Sequence, residues 1–148
     1  MTALAQNTGR TNYGSNIEAE PWEAADDQVF YQGAIVLIKS DGLAYVGVAY
    51  AAASNGFVIG VAECELDTTI PANQGKSVLV HPGTFGDFDN SSAADEIGWD
   101  DRGKLCYLVN DNTVALTDDT GARTVAGRIH SLADDNTSVV VQFEVIRG

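Results

Sequence analysis

Turn-forming residues interrupt this chain so often that no long element fits between them, and that limits the fold more than any other feature. Ser40-Asp41-Gly42, Ser54-Asn55-Gly56, Pro82-Gly83, Asn110-Asp111-Asn112 and Asp134-Asp135-Asn136 are all built from residues suited to tight backbone reversals. Between them stand short runs rich in β-branched and aromatic residues: "GAIVLI", "LAYVGVAY", "FVIGVAECEL", "KSVLVHPGTFGDF", "KLCYLV", "TVAL", "RTVAGRIHSL" and "SVVVQFEVI". Asp41-Gly42 between two such runs is a strong hairpin signal. The two-residue period of a strand puts Phe57, Ile59 and Val61 on one face. In the last run it groups Val139, Val141, Phe143 and Val145, with Gln142 and Glu144 pointing the other way. About ten short strands with frequent turns predict an all-β fold, a small barrel or a sandwich.

Helical patterning is weak. "NIEAEPWEAADD" is broken by Pro21, and "SSAADEI" allows one acidic turn with Ser91 or Ser92 as its cap. Residues 1–27 show no sustained period and are rich in Asn, Thr, Gly, Ala and acids, which predicts an extended N-terminal arm, flexible when alone, ahead of a single β domain over 28–148. Tyr13, Ile17 and Trp22 are the apolar residues of this arm with enough surface to anchor it. They either dock on a partner or pack back on the domain.

Charge excludes whole classes of partner. Eight Lys and Arg face 21 Asp and Glu, a net charge of −13. Nucleic-acid binding depends on cations that displace phosphate counterions, and anionic membranes ask for the same, so neither is expected. The longest apolar run, "LAYVGVAYAAA", has 11 residues and is too short for a membrane helix. The N-terminus has no basic segment followed by an apolar core, so cytoplasmic synthesis is expected. Cys64 and Cys106 lie far apart inside strand-like runs and predict two reduced, buried thiols, with a single bond between them left open.

Nothing in the pattern predicts catalysis, a metal or a cofactor. His81 and His130 stand alone in separate strands, whereas a site needs them with a carboxylate or a third ligand. No nucleophile elbow, zinc-protease helix motif, phosphate loop or dinucleotide fingerprint occurs. Asp100-Asp101, Asp118-Asp119 and Asp134-Asp135 lack calcium-loop spacing and read as solvated turn residues. Gly103 and Gly127 suit turns or close packing. Trp99 fits a core or an interface.

In the second half, Asp101-Arg102-Gly103-Lys104-Leu105-Cys106-Tyr107, the turn Asn110-Asp111-Asn112, Thr113-Val114-Ala115 and Ala126-Gly127-Arg128-Ile129 follow one another in order. With "GFVIGVAECEL" and "VLVHPGTFGDF" upstream, the series resembles the small capsid decoration (cement) proteins of tailed bacteriophages over roughly residues 30–146. The long arm and the insert "DNSSAADEIGWDD" depart from that pattern. The resemblance implies a non-enzymatic structural protein on the virion exterior, assembled in the host cytoplasm. It would bind the assembled major capsid protein and stabilise the shell against the pressure of packaged DNA. It would do so as a homo-oligomer, a trimer in preference to a dimer, with Tyr13, Ile17 and Trp22 contacting the capsid and Trp99 at an interface. The alternative is a virion adhesion protein, a head fibre or spike base that binds host glycans through exposed aromatics in "FGDFDN" and "IGWDD".

Overall fold

The computed structural model describes residues 2–14 and 18–144. Its first half holds strands β1 (Glu20–Glu23), β2 (Val29–Phe30), β3 (Ile35–Ile38), β4 (Ala44–Val46), β5 (Phe57–Ala62), β6 (Leu66–Asp67) and β7 (Ser77–His81). Its second half holds β8 (Thr84–Asn90), β9 (Leu105–Asn110), β10 (Thr113–Ala115), β11 (Val125–Ala133) and β12 (Ser138–Gln142). The only helical pieces described are four single 3-10 turns. The fold is all-β.

The second half closes on itself. β10, β8, β12, β11 and β9 form a five-stranded barrel in that order, and β9 pairs back to β10. The seam between β8 and β10 is parallel and only two pairs long, Thr113 with Asp89 and Val114 with Asn90. The first half forms a sheet in the order β1-β7-β5-β3-β4, whose two ends meet where Ala24 bridges Ala44 and the Ala25 N–H donates to the Ala44 carbonyl at 2.9 Å. β2 and β6 make a separate two-stranded ribbon.

Strands β3 and β5 are buried along their whole length because they have a core on each face. Ile35, Leu37, Val58 and Val61 join the barrel core with Phe88, Leu108, Val139 and Val141. Val36, Ile38, Phe57 and Ile59 join the second core with Phe30, Val78 and Val80. Continuous runs such as "IVLI" are what a wall buried on both sides requires.

This wall corrects one predicted face. Phe57 and Ile59 share a core, but Val61 lies in the other. Val36 pairs with Gly60 while Leu37 pairs with Val58, so Ile59 is an extra residue that resets the alternation. Val139, Val141 and Phe143 do lie together in the barrel core, and Val145 falls outside the described residues.

Other local expectations also change. Cys106 is buried, and burial pushes its thiol up to about 12, but Cys64 is exposed beyond the end of β5; both thiols are free. Neither serine caps the turn Ala93–Asp95. Ser92 makes no side-chain cap bond, and the Ser91 hydroxyl donates to the Val114 carbonyl at 3.0 Å. The departing insert instead places Ile97 in the barrel core, held by Asn90, whose side chain bonds both the Ile97 N–H and its carbonyl. Of the paired acids, Asp101 is buried rather than solvated and accepts from the Gly98 N–H at 2.8 Å and Lys104 Nζ at 2.9 Å.

The predicted boundary at residue 27 does not separate an arm from a domain. Glu20–Glu23 pairs with Ser77–Val80 as a strand of the sheet, and Ala24 and Ala25 are core. Pro21, which breaks a helix, fits an edge strand, where one N–H can be spared.

Candidate functional site

The most elaborate polar assembly in the described chain holds its first residues against the barrel. Residues 2–13 form an extended strap that antiparallels the start of β8. Asn12 bridges Phe85, the Tyr13 N–H donates to the Thr84 carbonyl at 2.8 Å, and the Gly86 N–H donates to the Thr11 carbonyl at 2.9 Å. The edge of β8 opposite β12 is therefore filled twice, by the strap near residues 84–86 and by β10 at 89–90.

Arg10 is the centre of this contact. Its Nε donates to the Gly33 carbonyl at 3.0 Å, Nη1 to the Asp87 carbonyl, and Nη2 to Asn112 Oδ1 at 2.6 Å. The guanidinium carbon lies 4.1 Å from the centre of the Phe88 ring, a cation–π contact. Three acceptors, from strand β8, the segment between β2 and β3 and the turn between β9 and β10, thus enclose one planar cation with one aromatic face, which suits the fork of an arginine. Burial lowers the Arg10 pKa to about 10, opposed by the nearby charges of Asp87, Asp111 and Asp89. Asp87 also accepts from the Thr11 N–H and hydroxyl through Oδ2, at 2.9 and 2.8 Å. Asp111 accepts the Leu4 N–H at 2.8 Å, and burial holds its carboxyl above the ordinary aspartate range.

Gly33 is required by this geometry. Its φ is +89°, and a Cβ there would lie 2.3 Å from the Thr8 carbonyl oxygen, which belongs to the strap. The Thr8 N–H donates to the Gln32 carbonyl, and Asn7 Oδ1 accepts the Gln32 N–H, each at 2.8 Å.

The residues predicted as anchors scatter. Tyr13 is 46% exposed and rests over Gly86, its ring centre 6.1 Å from that of His130. Trp22 packs inward, edge-on to Phe57 at 6.0 Å, in the second core. Its indole N–H is buried without a hydrogen-bond partner. Ile17 lies outside the described residues. Trp99 is 49% exposed beside the β11–β12 turn, with the Arg102 guanidinium 5.0 Å from its ring. Phe85 and Phe88 of "FGDFDN" are core residues, so they form no exposed aromatic cluster with Trp99. His81 packs on Phe85 and His130 lies beside Tyr13; among the described residues no group of three His, Cys, Asp or Glu side chains is arranged to hold a metal.

Sequence reasoning passed over Arg10, Asp87 and Asn112. One signal was present: Arg10 is the only Lys or Arg before Lys39, in a stretch with no acid before Glu18. Compared with protein-family models, curated proteins and solved structures, the chain matches none of them.

Proposed function

We propose that this chain is a structural virion protein that binds the outer surface of an assembled phage capsid and stabilises it. One observation carries the reading. The segments that resemble the decoration family, from "VLVHPGTFGDF" through Ala126–Ile129, supply strands of one closed barrel or the strand leading into it; Phe85, Phe88, Cys106, Val114, Ala126 and Ile129 lie in the barrel core, while Val78 and Val80 of the leading strand lie in the second core. Cys106, Val114 and Ala126 are wholly buried, as scaffold residues are. The half-exposed aromatics Tyr13 and Trp99 both abut β11 of that barrel and are the natural contacts for a neighbouring surface. Trp22, occupied in the second core, no longer fits as a capsid anchor.

In this reading the barrel is a rigid platform, and stabilisation is linkage: copies that bind the assembled shell and not its free subunits shift the equilibrium toward the shell. Many weak contacts repeated over a lattice give strong overall binding. The acidic surface keeps unbound copies apart in solution.

The test is co-sedimentation of the purified chain with expanded capsids that lack it. Saturation at a fixed copy number per capsomer is expected, and Tyr13→Ala with Trp99→Ala should weaken it at least tenfold while the fold persists. Truncation of the whole arm is a poorer test, because it removes β1. A folded chain that never sediments with capsids overturns the reading.

A further inference from the structure

We propose that a cavity at the outer end of the second core binds a small aromatic carboxylate. The proposal does not depend on capsid binding.

The cavity has a volume of about 300 Å³ and lies where β1 meets the β3–β4 hairpin. Trp22, Ile38 and Phe57 line its apolar side, and Lys39, Ser40 and Asn55 its polar side. Strand pairing brings these groups together. Ile38 lies opposite Phe57 in the register of β3 with β5, and Trp22 stands edge-on to Phe57. All three belong to the second core or pack against it, so the cavity is where that core reaches the surface.

Three hydrogen-bond donors on its walls have no acceptor among the described residues. The Trp22 indole N–H is buried and unbonded. Trp22 itself is only partly buried, so a turn of its ring presents the N–H to the cavity. The Lys39 ammonium stands 4.1 and 5.2 Å from the ring centres of Tyr45 and Tyr50, contacts that occupy none of its N–H groups, and it makes no hydrogen bond or ion pair. The Asn55 side-chain amide is also unbonded, on an exposed residue whose φ is +60°. Asp41, next to Ser40 in the hairpin, does not serve them. Its Oδ2 accepts the Tyr45 hydroxyl at 2.6 Å and its Oδ1 the Leu43 N–H at 3.0 Å.

The site therefore lacks an acceptor, and its shape sets the rest of the ligand. The volume is at the small end for ligand cavities, which suits a molecule of one or two rings. Trp22 and Phe57 offer an aromatic ring offset or edge-on contact. A carboxylate brings two oxygens that accept from several donors at once, and it bonds a lysine more strongly than a neutral oxygen does. An acceptor for the buried indole N–H also removes the penalty of leaving it unsatisfied. The chain as a whole repels anions, but Lys39 is the only Lys or Arg between Arg10 and Lys76 and gives this end of the core a local attraction.

The experiment titrates phenylacetate into the full-length, nitrogen-15-labelled chain and follows the two indole N–H cross-peaks, assigned with Trp99→Phe. Trp99, beside the β11–β12 turn, is the internal control. The Trp22 cross-peak should move and saturate with a Kd of about 1 mM or tighter, while that of Trp99 stays in place. Lys39→Gln should weaken phenylacetate about tenfold and leave the uncharged phenylacetamide unchanged. Asn55→Gly removes the amide at a backbone angle that glycine accepts, and it should weaken both compounds about fivefold with the fold intact. It carries the test if Lys39→Gln fails to fold by circular dichroism. A Trp22 cross-peak that stays fixed at about 10 mM phenylacetate overturns the proposal. So does a shift confined to Trp99, or phenylacetamide binding as tightly as phenylacetate.

Discussion

The two cores of this molecule are of similar chemistry but are closed in different ways. The barrel draws its strands from one continuous stretch, Thr84 to Gln142, and each strand pairs with the next around the ring. The second sheet reaches from Glu20 to His81 and closes through a single bridge between Ala24 and Ala44. Its closure therefore waits for the N-terminal strand to find β7, a contact about sixty residues distant in sequence. Yet the two cores are not independent, because β3 and β5 wall both. Local closure and remote closure are coupled through the nine side chains that β3 and β5 divide between them.

The sharpest way to break that coupling uses neighbours on the wall. Leu37→Ala empties space in the barrel core and Ile38→Ala in the second, and each should cost about 2–5 kcal/mol. Both variants should still unfold in one transition in urea, seen alike by Trp22 in the second core and Trp99 beside the barrel. Single-tryptophan versions make the readout specific. If Ile38→Ala shifts the Trp22 transition and leaves that of Trp99 in place, the wall does not couple the cores.

A smaller effect is expected at one glycine in each half. A Cβ on Gly60 would lie 2.2 Å from the His81 carbonyl oxygen, and one on Gly127 would lie 2.4 Å from that of Gln142. Neither is in the left-handed region, so the cost of Gly→Ala is collision rather than backbone strain, about 1–3 kcal/mol in each half. Gly103→Ala is the control. It has open space but a φ of +86°, and it should cost about 1 kcal/mol through conformation alone. Thermal unfolding of the three variants separates these causes. Equal losses at all three would remove the distinction.

Turn chemistry is local, which is why the hairpins and the all-β class were legible. Asp41-Gly42 sits between β3 and β4, and Asp134, Asp135 and Asn136 all adopt positive φ between β11 and β12. What depends on a partner strand was hidden. The bulge at Ile59 exists only against β3, so period alone misplaced Val61. Pro21 argued against a helix, but only the neighbouring β7 makes its segment a strand. "FGDFDN" offered the exposed aromatics of the adhesion alternative, but in β8 Phe85 and Phe88, three residues apart, both reach the barrel core because the strand is irregular at Asp87, whose φ is +71°. The Arg10 cradle was least legible. Its acceptors lie 23, 77 and 102 residues away, and two of them are backbone carbonyls that no side-chain motif records.

The smallest effect compares two carboxylates at opposite margins of the barrel, one under the strap and one in the insert. Asp101 is held below the ordinary aspartate range by the Gly98 N–H first and Lys104 second, so its folded pKa lies under its unfolded value. Its stabilisation is therefore fully present above the unfolded pKa and is lost as pH falls through the folded one. Asp101→Asn should cost about 1 kcal/mol at neutral pH, and its stability should converge with that of the unaltered chain as pH falls through the folded pKa. Asp111 has the opposite sign. Burial raises its folded pKa, so its charged form opposes folding at neutral pH, and that opposition fades as pH falls through the raised value. Asp111→Asn should therefore change stability least in acid and most at neutral pH, in the stabilising direction if the new amide oxygen still accepts the Leu4 N–H. Urea titrations at a series of pH values give both curves. Parallel slopes for the two variants would mean that the strap leaves Asp111 in water and that the seam is more open than its hydrogen bonds imply.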